Sequence, residues 1–325
     1  MVHAIRIRST GGPEQMVWEE IDVPAPGPNE ALIRQTAIGV NYIDVYFRDG
    51  SYPLPQMPGV IGMEGAGVIE AVGSNVTTCK PGDRVAYAMG PVGSYTEARV
   101  MPADRLVTLP PEIDDKIAAS IMLQGMTTNY LLTRTYKVKK GDTILVHAAA
   151  GGVGLMMCQW ASHIGATVIG TVSTEEKAAL AKAHGCTHVI YYTKENVAER
   201  VRELTGGAGV PVVYDSVGKD TFDASINSLS PLGMMVLFGA SSGKPPAIDA
   251  GTLQSKGSLY FTRPSLAHYA AKREDLLSLA SGVFDMVKSG ALKVSINQTF
   301  ALKDAAEAHR ALEGRKTTGS TVLLP

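Results

Sequence analysis

The sequence predicts an α/β fold in which a doubly wound parallel sheet is joined to a second, β-rich domain. Three observations carry that expectation. Strand-like and helix-like segments alternate regularly from residue 144 to residue 238, the rhythm of a parallel sheet covered on both faces. The residues before about position 120 instead form short alternating runs broken by Gly and Pro, which is antiparallel β patterning. Finally, 325 residues exceed what one hydrophobic core usually supports, so more than one domain is expected.

Taken in order, His3-Ala4-Ile5-Arg6-Ile7, Ala31-Leu32-Ile33-Arg34 and Gly67-Val68-Ile69-Glu70-Ala71-Val72 read as strands. Lys80-Pro81-Gly82-Asp83 is a sharp turn into a further strand, Arg84-Val85-Ala86-Tyr87. Between Asp114 and Val138 the pattern switches to helix, and the domain junction falls at Gln124-Gly125. Ile144-Leu145-Val146 then has the β-branched character of a short buried strand. It runs into Gly151, Gly152 and Gly154, after which Val153, Met157, Ala161 and Ile164 recur at helical spacing, with Gly165 at the expected C-cap.

The alternation continues with strands at 167–172, 188–191, 211–214 and 234–238 and helices at 175–183, 198–204 and 222–229. An edge strand is expected at 257–262, then a helix at 273–288, a strand at 293–300, a helix at 303–313 and a last strand at 320–324. The predicted organisation is a β-rich domain over 1–124, a dinucleotide-binding domain over 125–264 inserted into it, and a C-terminal segment over 265–325 that completes the first.

Composition narrows the function classes. A 45% hydrophobic and 19% charged chain with 34 glycines is an ordinary globular α/β protein. A net charge of −1 with dispersed basic residues removes the electrostatic footprint of a dedicated nucleic-acid binder. Cys79, Cys158 and Cys186 are odd in number and lack metal or redox spacing, which predicts reduced thiols. No apolar run approaches the ~18 residues that span a membrane, and the N-terminus has no signal-peptide core. A cytoplasmic location is expected.

Strand, glycine turn and helix follow in the order a dinucleotide site needs. Small residues at Gly151, Gly152 and Gly154 let a pyrophosphate approach backbone N–H groups at a helix N-terminus. Ala149 stands where the usual fingerprint has its first glycine, and glycine clusters also make plain tight turns; the flanking strand and helix decide for a nucleotide. About 20 residues on, where NAD-selective sites carry a carboxylate for the ribose 2′-OH, this chain has Ser173. An uncharged hydroxyl removes repulsion against a 2′-phosphate, and Lys177, one helical turn later, supplies a counter-charge. The competing reading leaves Lys177 solvated and gives the ribose to Glu175 or Glu176. NADPH is the expected cofactor.

The residues Gly62–Gly67 (Gly-Met-Glu-Gly-Ala-Gly), Pro81–Val85 (Pro-Gly-Asp-Arg-Val) and Ala149–Gly154 resemble the medium-chain dehydrogenase/reductase superfamily. Within it the chain is similar to the zeta-crystallin-like quinone oxidoreductases, through Asn41–Arg48 with Tyr52, His147–Gly154, Tyr214–Gly218 and Gly257–Pro264. The resemblance implies a GroES-like β domain joined to a Rossmann domain, NADPH as cofactor and a homodimer. Where the zinc alcohol dehydrogenases of the superfamily place a Cys and a His, this chain has Asn41 and Met63, and the cysteine-rich structural zinc loop is missing. Glu64 alone cannot build a catalytic zinc site, which needs about three protein ligands. No metal is therefore expected, and the acceptor must already be electrophilic, either a quinone or an alkene conjugated to a carbonyl.

The resemblance puts Asn41 near the nicotinamide and Tyr46, Tyr52 and Arg263 toward the substrate or the nicotinamide half, as hydrogen-bond donors for developing oxyanion charge. Tyr46 packing within the β domain, or Arg263 pairing with a carboxylate, is the plainer alternative. The resemblance also carries Gly152, Val153, Ser173, Lys177, Tyr192, Ser216, Phe238, Gly239, Ser241, Phe261 and Arg315 onto the cofactor site. Thr127 and Tyr130 are further cofactor candidates that helix packing explains equally well. His147 reads as a core histidine, and Asp44 as a residue that orients its neighbours. Three functions follow: quinone reduction, reduction of α,β-unsaturated carbonyls, or a nucleotide-binding, crystallin-like or RNA-binding role with little turnover.

Overall fold

The computed structural model describes all 325 residues. Unit 1 comprises Met1–Met126, Tyr269–Lys288 and Val294–Pro325, and unit 2 comprises Thr127–His268 and Ser289–Lys293. No helix is long and apolar enough to cross a membrane.

Unit 1 opens with β1 (Val2–Ile7), β2 (Val17–Ile21), β3 (Glu30–Val40) and helix α1 (Tyr42–Asp49). Then come β4 (Gly59–Val60), β5 (Glu64–Val72), β6 (Arg84–Ala88), β7 (Ala98–Pro102), β8 (Val107–Thr108) and helix α2 (Asp115–Tyr130). Unit 2 alternates β9 (Thr143–Val146), α3 (Gly152–Ile164), β10 (Thr167–Val172), α4 (Glu175–Ala183), β11 (His188–Tyr191) and α5 (Val197–Leu204). It continues through β12 (Val210–Asp215), α6 (Phe222–Ser228), β13 (Leu229–Leu237), α7 (Ala250–Ser255), β14 (Tyr260–Thr262) and α8 (Leu266–Tyr269). The chain ends with α9 (Arg273–Lys288), β15 (Ile296–Ala301), α10 (Ala305–Glu313) and β16 (Ser320–Leu324).

In unit 1 a seven-stranded sheet runs β15-β16-β3-β5-β6-β8, with β7 also paired to β3, beside a three-stranded sheet β2-β1-β4. β3 alternates as an antiparallel strand should, with Ala31, Ile33, Gln35 and Ala37 inward. The C-terminal β16 pairs antiparallel with β3, Thr321 opposite Val40, while Gly39 lies opposite Glu64 of β5. Three distant segments, at Ser320, Asn41 and Glu64, thus end at one level of the sheet.

Unit 2 holds a six-stranded sheet in the order β11-β10-β9-β12-β13-β14, every pair parallel. Ile144, Leu145 and Val146 are all wholly buried, as expected of a strand covered on both faces. Leu145, Ile169, Val213 and Met235 anchor the core from four neighbouring strands. Each such side chain contributes about 1.5–3 kcal/mol by leaving water.

Some boundaries differ from the sequence expectation for local reasons. The helix expected over 114–138 ends at Tyr130 and relaxes into a π turn over Leu131–Thr135, where the Thr133 hydroxyl donates back to the Asn129 carbonyl at 2.7 Å. The edge strand expected at 257–262 shortens to β14, since Gly257 and Ser258 turn at φ 119° and 55°. The strand expected from 293 starts at Ile296: both backbone groups of Lys293 are taken by the Gln159 amide, at 2.8 and 3.1 Å, which keeps that residue with unit 2.

Candidate active site

In unit 2, β9 and β12 are neighbours although β10 and β11 intervene in the chain. This reversal of strand order is the topological switch point where such sheets bind ligands, outside the carboxyl ends of the strands. Most of the predicted cofactor residues gather along that edge. Gly151–Gly154 follow β9, Ser173 follows β10, Tyr192 follows β11 and Ser216 follows β12. Phe238, Gly239 and Ser241 follow β13, and Arg263 follows β14.

Ala148 turns the chain out of β9 at φ 54°, and Gly151 begins α3 without any side-chain cap. The first-turn amides of α3 therefore point from the helix end toward the strand tips, where the macrodipole favours an anion. Gly154 permits this packing, because a Cβ there would lie 2.3 Å from the Ala148 carbonyl oxygen. A Cβ on Gly239 would lie 2.5 Å from the Ser216 carbonyl oxygen, so these two strand-end loops also require bare backbone.

The Ser216 loop is organised by Asp215. Its carboxylate accepts from the Val217 and Gly218 amides at 2.8 and 3.0 Å, from the Thr221 hydroxyl and from Ser225 Oγ at 2.7 Å. Ser225 spends its only proton on Asp215, so it must accept from His147 Nε2 at 3.0 Å. His147 Nδ1 then accepts from the Thr171 hydroxyl at 3.1 Å. Burial lowers the His147 pKa, and both ring nitrogens are committed to the sheet interior. His147 is a neutral core histidine.

At the tip of β10, Thr174 caps α4 by accepting from the Lys177 amide at 3.3 Å. Glu175 accepts from the Tyr191 hydroxyl at 2.7 Å. The Glu176 carboxyl is held low by its own backbone amide and the Thr174 hydroxyl. Glu175 and Glu176 thus each have local partners at the helix start, and half-buried Ser173 stands at the strand tip. Tyr192 sits beside it, its amide donating to the Val172 carbonyl at 3.2 Å, with its side chain 39% exposed.

In unit 1, Asn41 is the N-cap of α1, and its backbone amide donates to Asp44 at 2.9 Å. Its side chain is pinned at both ends, Nδ2 donating to Glu64 at 2.6 Å and Oδ1 accepting from Gln124 Nε2 at 3.1 Å. Gln124 in turn accepts from the Ser320 hydroxyl at 2.9 Å, and Glu64 accepts from the Leu123 amide of α2 at 2.6 Å. Gly39 makes room for this: a Cβ would lie 2.1 Å from the Ala119 carbonyl oxygen and 2.4 Å from Glu64. The fully buried Glu64 has its pKa pushed up to about 8 by desolvation, only partly offset by these donors. Asn41 keeps one N–H for a further acceptor.

One turn along, the Tyr46 ring lies 5.2 Å from the Tyr52 ring, and the Tyr52 amide donates to the Tyr46 carbonyl at 2.8 Å. Both rings are half-buried. The remaining predicted residues have packed surroundings of their own. Thr127 and Tyr130 are only 7% and 2% exposed on α2. Phe261 packs 6.5 Å from Phe222 against the core. Arg315 belongs to unit 1, beyond α10, where its charge lowers the Tyr42 pKa against the larger effect of burial. A cavity of about 400 Å³ in unit 1, lined by Leu54, Val60 and Arg99 among others, contains none of the predicted site residues.

Sequence reasoning missed α1, Gln124, Ser320 and the roles of Glu64 and Asp215. The spacing of Asn41 and Asp44 is a capping signal that marks α1, and Asp215 bonds groups 2 to 10 residues further on; the contacts that join Asn41, Glu64, Gln124 and Ser320 span 23 to 196 residues and leave no local pattern.

A GroES-like β unit and a Rossmann unit built in this way define a medium-chain dehydrogenase/reductase. Residues 27–111 match the alcohol dehydrogenase GroES-like domain family and residues 152–275 the zinc-binding dehydrogenase family. The chain is 52% identical to a quinone oxidoreductase of Pseudomonas aeruginosa and 49% identical to a 2-haloacrylate reductase of a Burkholderia species, covering the whole chain and 100% and 99% of those proteins. Its fold matches the crystal structure of an Escherichia coli quinone oxidoreductase complexed with NADPH, with a TM-score of 0.98 and 45% identity over 99% of this chain and all of that one. The chain belongs to the zeta-crystallin-like quinone oxidoreductases.

The second family description implies zinc, and the donor set does not fit it. The positions beside Glu64 are Asn41, whose N–H faces the carboxylate, and the thioether Met63. No group of three or more His, Cys, Asp or Glu side chains is placed to hold a metal ion.

Proposed function

We propose that this chain is an NADPH-dependent quinone reductase that works without a metal. The observation that carries the reading is the carboxyl edge of the unit 2 sheet, where an uncapped helix start, Ser173 and Lys177 form a site for a phosphorylated dinucleotide. When bound, NADPH supplies a hydride, two electrons and one proton, and a second proton from solvent completes the hydroquinone. Asn41 offers its remaining N–H, oriented by Glu64 and Gln124, to stabilise oxyanion charge. Tyr46, Tyr52 and Arg263 hold the acceptor's oxygens, and Tyr52 relays a proton. Asp44 orients Asn41 through the backbone. Thr127, Tyr130 and Arg315 are weaker members of the cofactor set.

A second reading, reduction of an alkene conjugated to a carbonyl, is supported by the 49% identity to a 2-haloacrylate reductase. Steady-state oxidation of NADPH with 1,4-quinones, enones and 2-chloroacrylate separates them. The first reading expects the highest kcat/KM with a quinone. Turnover of enones alone would install the second, and tight NADPH binding without turnover would favour a nucleotide-binding role. We also propose a cytoplasmic homodimer in which β14 meets its symmetry mate. β14 is an edge strand with Tyr260 58% exposed. Light scattering is expected to give the dimer mass, and a monomer at micromolar concentration would contradict it.

A further inference from the structure

Arg48, His309, Tyr95 and Asp44 form a continuous buried chain in unit 1 that the reading above does not use. Arg48 is 2% exposed, and the other three are completely buried. Glu313 at the end of α10 grips the Arg48 guanidinium with both oxygens, at 2.7 and 2.8 Å. Arg48 Nη1 also lies 3.0 Å from His309 Nδ1, His309 Nε2 lies 3.0 Å from the Tyr95 hydroxyl, and that hydroxyl lies 3.0 Å from Asp44 Oδ2. The same Asp44 oxygen receives the Asn41 backbone amide at 2.9 Å.

The direction of every proton in this chain is fixed. Arginine only donates, so His309 Nδ1 accepts and Nε2 carries the hydrogen. Nε2 then donates to the Tyr95 oxygen, and Tyr95 donates to Asp44. His309 must stay neutral, and burial together with the Arg48 charge lowers its pKa to about 3. Asp44 pays for its burial with a pKa raised to about 7, against which the Asn41, Tyr95 and Met63 donors act. Such a one-way chain tolerates no reversed dipole, so it holds its terminal oxygen in one place.

We infer that Tyr95 and His309 are positioning residues for the reaction, setting the entry of α1 and hence the placement of Asn41 from the C-terminal helix α10. The inference rests on the role proposed for Asn41. Tyr95→Phe removes the link to Asp44. His309→Leu removes the acceptor of one Arg48 Nη1–H, which Glu313 does not replace, and the donor to the Tyr95 oxygen, whereas His309→Gln retains an acceptor and a donor on one side chain.

The test measures kcat, quinone KM and NADPH Kd for these three variants and for Asn41→Ala, with active enzyme counted by bound NADPH. The expected result is a fall in kcat of about tenfold for Tyr95→Phe and His309→Leu, the scale of a small misplacement of a reacting group. NADPH Kd should hold within about twofold, and His309→Gln should recover most of the loss. Wild-type kcat in both Tyr95→Phe and His309→Leu, with Asn41→Ala impaired, would overturn the positioning chain alone. Wild-type kcat in Asn41→Ala would overturn the role of Asn41 and the inference with it. A loss of bound NADPH sites with unchanged kcat per site marks a purely structural chain and also counts against it.

Discussion

Replacing Glu64 by Gln should flatten the pH dependence of unit 1 stability. In the folded chain this carboxyl is fully buried with a pKa of about 8, against an ordinary value of 4.5. Between those two values the folded state holds a proton that the unfolded state has released. Stability therefore falls as pH rises, by about 1.4 kcal/mol per pH unit. From pH 5.5 to 7.5 the wild type should lose about 2–3 kcal/mol more than Glu64→Gln, with Asp44, itself raised to about 7 and a lesser charge acting on Glu64, titrating in both proteins. Trp18 and Trp160 are the only tryptophans and lie in different units. A Trp160→Phe background leaves Trp18 to report guanidinium unfolding of unit 1. Parallel stability curves for the two proteins would show that Glu64 ionises normally, and the pinning of Asn41 by a protonated carboxyl at neutral pH would be wrong.

Further predictions concern the cofactor edge and the acceptor site. Gly154→Ala should weaken NADPH binding by about tenfold or more, since overpacking of 1–3 kcal/mol must be relieved by moving α3 from the strand tips; fluorescence titration giving a wild-type Kd would remove Gly154 from the cradle. Lys177→Ala and Ser173→Asp should each lower the preference for NADPH over NADH, the second by about tenfold through like-charge repulsion, and an unchanged ratio of KM values would end the 2′-phosphate role. Tyr52→Phe and Arg263→Ala should lower turnover with NADPH binding retained, and wild-type rates in both would take them off the catalytic set.

The parallel sheet was legible because its strands are buried on both faces and read as apolar runs, with the glycine turn between β9 and α3 marking the ligand edge. Ser173 could be placed from spacing alone, since β10 fixes how far the chain runs before it reaches the strand tip. The engagement of Glu175 by Tyr191 could not, because it joins α4 to β11 through side-chain geometry. The setting of Asn41 was equally hidden: Glu64, Gln124 and Ser320 come to it through the register of β16, β3 and β5 and the close approach of α2 over Gly39. Hydrogen bonds between such separated residues have no period in the sequence. Lys293 shows the converse case, a strand-like residue whose backbone is claimed by a single distant amide.

The central claim, that this chain passes a hydride from NADPH to a quinone, is tested most directly in a single turnover. Enzyme preloaded with one equivalent of NADPH per chain is mixed with excess 1,4-benzoquinone in a stopped-flow instrument, with a strong chelator present, and the reduced nicotinamide absorbance is followed. The absorbance should vanish in one enzyme-dependent phase that slows when the transferred hydrogen at C4 is deuterium. A bound NADPH that survives the quinone, or that is consumed only when a metal ion is added back, would contradict the account.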